Sequence, residues 1–308
     1  MSRLREQVAH YLRLRRSLGY KLIEHERCLN QYLDYLEENQ AATITAENAF
    51  AWAKLPTGVN PRWHGARLSA VRGFAAWAQA FDPDIQVPPA GLLPMRTTRA
   101  TPYLYSQDQI GALMNAAAGL TPQVRSGTFQ TLIGLLAVTG MRAGEATRAE
   151  VTDLDLDAGT LTVRGTKFGK TRLLPLHATV VDELRSYLEC RSAVALPGTT
   201  ALLISTAGTR LTYENAQRVF KKLTARAGIE PRSSACRPRM TDLRHSFAVN
   251  TVLDAYRAGA DVGARLPLLA TYLGHTEPAN TYWYLHAAPE LMALAAERLA
   301  THDAEGKR

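Results

Sequence analysis

The chain of 308 residues carries 36 lysine and arginine residues against 28 aspartate and glutamate residues, a formal net charge of +8. Hydrophobic residues make up 46% and charged residues 21%, a balance that excludes wholesale disorder, and the length accommodates two domains. The basic total favours a polyanionic partner such as nucleic acid.

The cysteines argue against a disulfide framework. Cys28, Cys190 and Cys236 include no C-x-x-C pair, which disfavours a structural zinc site and indicates a reducing compartment. No stretch reaches the roughly 18 uninterrupted apolar residues that span a bilayer. The Arg-rich beginning of the chain shows no secretory signal. These features predict a soluble cytoplasmic protein without a membrane partner.

Helical periodicity fills the first part of the chain. Apolar residues recur at three- and four-residue steps over 3–38, where Gly19 predicts a break into two helices, and further helices are predicted around 46–54 and 62–81. The first helix has one acid, Glu6, and a basic set that predicts contact with a phosphate backbone: Arg3, Arg5, Arg13, Arg15, Arg16 and Lys21. A solvated face is the alternative interpretation of these charges.

Closely spaced prolines then interrupt the helical pattern. They are Pro83, Pro88, Pro89, Pro94 and Pro102. Because proline breaks a packed helix, residues 83–102 are predicted to form an extended linker, with Arg96 and Arg99 as further DNA contacts. The linker would separate a small helical domain, residues 1–82, from a larger domain, residues 103–308.

The second domain begins with a capping-box pattern, Ser106 and Gln109, before an apolar helix. A second apolar helix is predicted around 128–139, with Gly140 ending it. The composition then changes to that of strands: a hairpin over 154–163, a turn at 167–170 and a third strand over 173–176. The rest is helical from 178 onward, apart from a candidate short strand at 202–204. The predicted fold class is mainly α with a small antiparallel β-sheet.

Three separated stretches carry the candidate chemistry. They are Thr139-Gly140-Met141-Arg142-Ala143-Gly144-Glu145-Ala146, Leu243-Arg244-His245-Ser246-Phe247-Ala248, and Leu273-Gly274-His275 followed nine residues later by Tyr284. Each stretch alone has an ordinary structural explanation, such as a solvated helix end or a core aromatic residue. In this order, the three together resemble the active-site boxes of the tyrosine recombinase (phage integrase) family. The resemblance covers about residue 106 to the end and is only architectural for the first domain.

The resemblance implies a division of roles in breaking a phosphodiester without a metal. The reaction requires a nucleophile, cations that neutralise the non-bridging oxygens, and an acid for the departing oxygen. By resemblance, the nucleophile is Tyr284, the phosphate is held by Arg142 and Arg244 with His275 assisting, Glu145 orients Arg142, and Lys167 is the acid. Lys170 competes with Lys167 for the acid role, and Tyr282 is a less favoured nucleophile. Lys170 and Arg172 are also predicted to contact DNA.

One position departs from the family pattern. The family usually has histidine three residues before the second arginine, where this chain has Thr241. Threonine can hydrogen-bond to a phosphate oxygen but cannot act as a base near neutral pH. We expect an active enzyme with weakened proton transfer. The alternatives are a DNA-binding accessory homologue that has lost turnover and a type IB-like topoisomerase.

As a whole, the resemblance implies a site-specific DNA recombinase that cleaves and rejoins strands through a covalent 3′-phosphotyrosine, without metal, ATP or another cofactor. It implies a helical core-binding (SAM-like) domain and a catalytic domain that form a C-shaped clamp on double-stranded DNA. It also implies a homo-tetramer on paired sites, or an assembly with related recombinases, in which an apolar helix around 291–299 either passes to a neighbour or packs within its own subunit. The amino-acid sequences of residues 271–275 and 289–294 resemble those of recombinases carried by bacterial transposable elements, which act in the cytoplasm at the nucleoid.

Overall fold

The computed structural model describes residues 2–94, 100–164 and 171–274. The chain divides into two compact units, Met1–Arg99 and Ala100–Arg308, which are described separately below. Within the described ranges, no helix combines the length and the apolar character needed to cross a membrane.

Among its described residues, the first unit contains four helices: α1 (Ser2–Ser17), α2 (Ile23–Glu38), α3 (Ala46–Lys54) and α4 (Pro61–Ala78). The predicted break is confirmed, since Gly19 lies between α1 and α2 with a left-handed φ of +88°, which glycine adopts without a Cβ clash. Helix α4 ends three residues before the predicted position. The chain turns there because the N–H groups of Phe81 and Asp82 both return to the Ala78 carbonyl.

Part of the proline-rich segment belongs to the core of this unit. Ile85 is fully buried, and Val87 and Leu93 pack against the same cluster. The Gln86 N–H donates to the Ile44 carbonyl at 2.9 Å. The segment predicted as an extended linker is therefore held against the first unit in its early part, because prolines exclude a helix but do not exclude packing.

The second unit contains seven helices among its described residues: α5 (Gln107–Ala118), α6 (Gln123–Thr139), α7 (Ala143–Ala146), α8 (Ala178–Ser192), α9 (Tyr213–Arg226), α10 (Asp242–Arg257) and α11 (Val262–Leu273). The predicted capping box is confirmed, since Ser106 Oγ accepts from the Gln109 N–H and Gln109 Oε1 accepts from the Ser106 N–H. Helix α6 begins five residues before the predicted position, because the buried Val124 extends its apolar face.

The predicted small sheet is present, with strands β1 (Leu154–Asp155), β2 (Thr160–Val163) and β3 (Arg172–Pro175) in the antiparallel order β1-β2-β3. Leu161 of β2 lies opposite both Leu154 and Leu174. The prediction of a short strand at 202–204 is wrong. Isolated bridges join Ala201 to Glu150 and Ile204 to Arg210, and no described strand pairs with this segment along its length. The fold class is confirmed as mainly α with a small antiparallel sheet.

Helix α6 is the central element of the second unit. It packs against α5, α8 and α10, and its buried face includes Phe129, Leu132 and Leu136. Helices α10 and α11 pack together around a second apolar cluster that contains Val252 and Leu269. Contacts among the C-terminal end of α6, the first turn of α10 and the C-terminal end of α11 form the candidate site.

Candidate active site

Arg142 lies in the turn between α6 and α7. Gly140 ends α6 in a left-handed conformation, with φ of +59°, so that Arg142 becomes the N-cap residue of α7. Its Nη1 donates to Glu145 Oε1 at 2.8 Å, and its Nη2 donates to the Gly274 carbonyl at 3.2 Å. The side chain is 39% exposed, so the guanidinium reaches solvent while two contacts orient it.

Glu145 is the buried anion of the site, with a side chain only 2% exposed. It accepts hydrogen bonds from the Arg142 side chain and N–H group and from the Arg172 guanidinium. Burial alone raises the pKa of this carboxyl group, but the hydrogen bonds from Arg172 and Arg142 outweigh burial and lower the pKa to about 2. Glu145 is therefore ionised near neutral pH.

Arg172, which was predicted from the sequence to contact DNA, lies inside the site. Its side chain is 13% exposed, and its Nη1 and Nη2 donate to Glu145 at 3.2 and 2.8 Å. The alternation of side chains along a strand could have predicted this position, because Arg172 lies two residues before the buried Leu174 and therefore on the same face of β3. Within the site, a Cβ added to Gly274 would lie 3.1 Å from Arg172 Nη1.

Arg244 joins the ends of two helices. The residue is 6% exposed, and its guanidinium donates to the Gly140 carbonyl at 2.9 Å and to the Leu273 carbonyl at 2.6 Å. One turn further along α10, the Phe247 ring lies against Gly140, where an added Cβ would meet Cδ1 at 2.4 Å. Phe247 also stacks on Tyr272 at 5.7 Å. Packing and hydrogen bonds together connect the second box to the first and third boxes.

Two successive carbonyl groups at the C-terminal end of α11 accept from the two arginines. Leu273 accepts from Arg244, and Gly274 accepts from Arg142. A helix C-terminus carries partial negative charge, so cations are stabilised there. The next residue in the chain is His275. The structure therefore brings together Arg142, Arg244 and the residue that directly precedes His275.

Thr241 lies exposed at the start of α10, with no capping hydrogen bond from its side chain. The following residue, Asp242, is fully buried and accepts from Arg239 Nε at 3.0 Å and Nη2 at 2.7 Å. This ion pair, which sequence reasoning did not identify, anchors the first turn of the helix that carries Arg244.

Several predicted site residues lie outside the described ranges. They are Lys167 and Lys170 in the β2–β3 connection, His275, Tyr282 and Tyr284 after α11, and Arg96 and Arg99 among the last residues of the first unit.

The predicted DNA-binding set, which lies on α1 apart from Lys21 in the α1–α2 connection, is partly neutralised by acids of α2. Arg5 donates to Glu37 at 2.7 and 2.9 Å and to Asp34 at 2.7 Å. Arg16 donates to Glu26 at 2.6 Å. Because these arginines already pair with carboxylates, the basic surface of α1 is smaller than its sequence indicates.

The other members of that set differ in how much charge they present. Arg13 and Lys21 are exposed and form no ion pair with a residue that the structure describes. Arg15 places its guanidinium 4.3 Å from the centre of the Tyr20 ring, and Arg3 lies 3.9 Å from an aspartate carboxylate. In the part of the chain that the structure describes, Arg13 and Lys21 are therefore the members of this set that stay available for phosphate.

Comparison with known proteins independently supports the resemblance to the phage integrase family. The sequence model of the phage integrase family matches residues 104–290. A protein of Sinorhizobium fredii named integrase/recombinase y4rB is 43% identical over 306 residues, 97% of this chain and 98% of that one. Tyrosine recombinase XerD of Bifidobacterium longum is 28% identical over 94% of both chains.

A solved structure supports the same fold. The Tn1549 transposon integrase in complex with transposon right end DNA matches 96% of this chain and 98% of that one, with a TM-score of 0.63 at 18% identity. The family model matches more than half of the chain, and the Sinorhizobium fredii relative, at 43% identity, matches nearly all of it. The chain belongs to the phage integrase family of tyrosine recombinases, enzymes that break and rejoin DNA strands.

Proposed function

We propose that this recombinase is site-specific and that Tyr284 is its nucleophile, which forms a 3′-phosphotyrosine with one DNA strand. The observation that carries the proposal is the convergence of Arg142 and Arg244 on the end of α11, directly before His275 in the chain. Two arginines of separate boxes thereby meet next to the third box, which contains the histidine and the tyrosine of the family pattern.

The proposed step conserves the energy of the phosphodiester. The Tyr284 phenolic oxygen attacks phosphorus, the P–O5′ bond breaks, and a P–O bond to the tyrosine forms. The phenolic proton leaves to a base, for which His275 is our candidate, and Lys167 donates a proton to the departing 5′ oxygen. Attack by a 5′-hydroxyl of another strand reverses the step, so no ATP or metal is required.

Arg142 would bind the phosphate by exchanging one acceptor for another. Its Nη2 donates to a neutral carbonyl at 3.2 Å, whereas a non-bridging phosphate oxygen carries negative charge and accepts a stronger hydrogen bond. Its contact with the buried Glu145 can persist during this exchange. The partly exposed guanidinium is therefore suited to receive the scissile phosphate.

The assembly that we propose follows the family. The first unit would act as a core-binding domain and the second as the catalytic domain, on opposite sides of double-stranded DNA. Four subunits would act on two sites, with the helix around 291–299 as the candidate for exchange between subunits. We extend the proposal to a mobile-element origin, for which the support is the resemblance of residues 271–275 and 289–294 to recombinases of bacterial transposable elements, and to a place of action at the bacterial nucleoid.

Thr241 supports a second candidate function, that of an accessory homologue. This chain binds DNA in that interpretation but does not form the covalent bond at a useful rate, because the family histidine is missing. The exposed position of Thr241 at the start of α10 leaves room for the imidazole that other members have there. The two candidates differ in one observable product, the covalent adduct.

The experiment begins with the wild-type protein and a pool of random-sequence duplexes, from which bound DNA is selected and sequenced. A duplex of the selected sequence, nicked near its centre so that the cleaved fragment diffuses away, is then incubated with the protein. A denaturation-resistant adduct that is lost in Tyr284→Phe would establish the chemistry and the nucleophile.

Three other results would change the proposal. An adduct that survives in Tyr284→Phe would move the nucleophile, with Tyr282 tested next. Bound DNA without an adduct would overturn the enzyme proposal in favour of the accessory homologue. Relaxation of supercoiled DNA without recombinant products would indicate topoisomerase activity instead.

A further inference from the structure

The Glu145 carboxylate receives donors from two separate elements. Oε1 accepts from Arg142 Nη1 at 2.8 Å and Arg172 Nη1 at 3.2 Å. Oε2 accepts from the Arg142 N–H group and from Arg172 Nη2, both at 2.8 Å. Each arginine therefore donates to both carboxylate oxygens, and hydrogen bonds from two elements of the fold together fix the orientation of the carboxylate plane.

The two arginines differ in how firmly the fold holds them. Arg142 is three residues from Glu145 and 39% exposed, whereas Arg172 comes from β3, 27 residues away, and is 13% exposed. A guanidinium that donates through both Nη atoms to one carboxylate fixes its orientation as well as its charge. Of the two arginines, Arg172 is thus the one that is largely enclosed by the protein, and Arg142 is the one that reaches solvent.

The orientation of Arg142 depends on that carboxylate. One Nη atom of Arg142 is bound to Glu145, so the direction of the other follows from the plane of the carboxylate. That second atom, Nη2, donates to Gly274 in the described structure. It is also the donor that the proposed function assigns to the scissile phosphate. A rotation of Glu145 would therefore misdirect Arg142 without changing its charge.

We propose that Arg172 is a positioning residue of the recombinase site, which holds the Glu145 carboxylate and through it aims Arg142 at the scissile phosphate. The proposal rests on the proposed function. It replaces a role in DNA binding, because both Nη atoms of Arg172 are engaged within the protein.

The test compares three variants. Arg172→Gln removes the charge and the paired donors, and Arg172→Lys keeps the charge but offers a single point of contact. Arg164→Gln is the matched control, because Arg164 follows β2 in the same hairpin and pairs with a different buried carboxylate, that of Asp153. Each variant is first compared with the wild type in thermal unfolding, and Arg172→Lys is used alone if Arg172→Gln does not fold.

The readout is the rate of adduct formation on the nicked duplex of the selected sequence, at about pH 5 and about pH 8. We expect Arg172→Gln to be slower by about tenfold to a hundredfold at about pH 8, as for a misplaced catalytic group. Arg172→Lys should be intermediate. Variants that affect only folding would lose bound DNA and adduct together, whereas a positioning defect leaves DNA binding intact.

The pH profile separates positioning from a general loss of structure. Among the described residues, the charged groups that face the Glu145 carboxylate are Arg142 and Arg172, and Arg172 also faces the Tyr272 phenol. Removing Arg172 leaves burial, which raises the Glu145 pKa, and removes the strongest hydrogen bond that lowers it. The ratio of the Arg172→Gln rate to the wild-type rate should therefore fall further at about pH 5, and the Arg164→Gln ratio should not.

A substrate with sulfur at the bridging 5′ position identifies the route by which Arg172 acts. A thiolate leaves without protonation, because a thiol is far more acidic than an alcohol. Such a substrate bypasses the acid on the hairpin, Lys167, but still needs Arg142. Persistence of the Arg172→Gln defect supports action through Glu145 and Arg142, and its disappearance would overturn that route.

Different results contradict the positioning role of Arg172 and the proposed function. A wild-type protein without adduct contradicts the proposed function. A wild-type adduct with an Arg172→Gln rate and pH profile equal to those of Arg164→Gln contradicts the positioning role alone.

Discussion

Arg244 donates to the carbonyl oxygen of Leu273 at 2.6 Å, although 29 residues separate them in the chain. The same guanidinium donates to the Gly140 carbonyl, 104 residues away, at 2.9 Å. The side chain that the family pattern assigns to the phosphate thus also joins the ends of two helices. Its position links the structural integrity of the site to its chemistry.

Replacing Arg244 by lysine should impair both properties. A lysine cannot donate to both carbonyl groups in the geometry of a guanidinium, so at least one buried carbonyl loses its partner, at a cost of about 1–3 kcal/mol. We also expect adduct formation to fall by about a hundredfold or more. Urea unfolding and the adduct assay measure the two effects. Arg237→Lys, at an exposed position, is the control, and wild-type behaviour of Arg244→Lys would contradict the joining role.

Gly140→Ala should destabilise the protein more than another glycine substitution at a similar backbone angle. Gly228 has φ of +67° with nothing within 4 Å of an added Cβ, whereas at Gly140 the Cβ would meet Phe247 at 2.4 Å. We expect about 1 kcal/mol for Gly228→Ala from backbone strain and about 3 kcal/mol for Gly140→Ala, where overpacking is added. Equal losses in urea unfolding would show that Phe247 moves aside freely.

Thr241→His should raise the rate of adduct formation by about tenfold or more, because an imidazole can transfer protons near neutral pH and threonine cannot. The position is exposed, so the larger side chain should leave unfolding unchanged. Thr241→Val, which lacks both the hydroxyl and an imidazole, is the matched comparison. An unchanged rate in Thr241→His would show that the missing histidine does not limit the reaction.

The Glu145 carboxylate should stabilise the folded protein at every pH above the ordinary pKa of a glutamate side chain. Its folded-state pKa lies near 2, below the unfolded value of about 4.5, so this stability is complete above about pH 4.5 and is lost as the pH falls towards 2. The full contribution is on the order of 3 kcal/mol. Urea unfolding of the wild type and Glu145→Gln between about pH 2 and pH 6 measures it. Parallel pH curves for the two proteins would contradict this assignment.

Arg13 and Arg5 should contribute unequally to DNA binding although they lie on the same helix. Arg13 is exposed without an ion pair to a described residue, whereas Arg5 is bound to Glu37 and Asp34. Arg13→Gln should weaken binding and reduce the salt slope of the affinity by about one, the effect of one lost phosphate contact. Arg5→Gln should change the slope less. Equal slopes would show that DNA displaces the acids from Arg5.

Much of this protein can be predicted from neighbouring residues alone. The capping box at Ser106, the helix end at Gly140 and the break at Gly19 are local, because each depends on side chains or backbone angles within one turn. The three boxes were likewise recognisable by residue type and spacing, from Arg142 in the first to Tyr284 in the third. Family membership follows from such patterns without any knowledge of the fold.

The tertiary structure decided which partners these residues have. Arg172 binds Glu145, a partner that the sequence did not predict. Ile85 was predicted to lie in a linker and instead fills a core, and Arg5 is paired with acids of another helix. Local periodicity determines helices and strands, but a buried ion pair forms between elements distant in sequence. Which distant groups meet depends on how the elements pack, because a buried charge is stable only where its partner also lies.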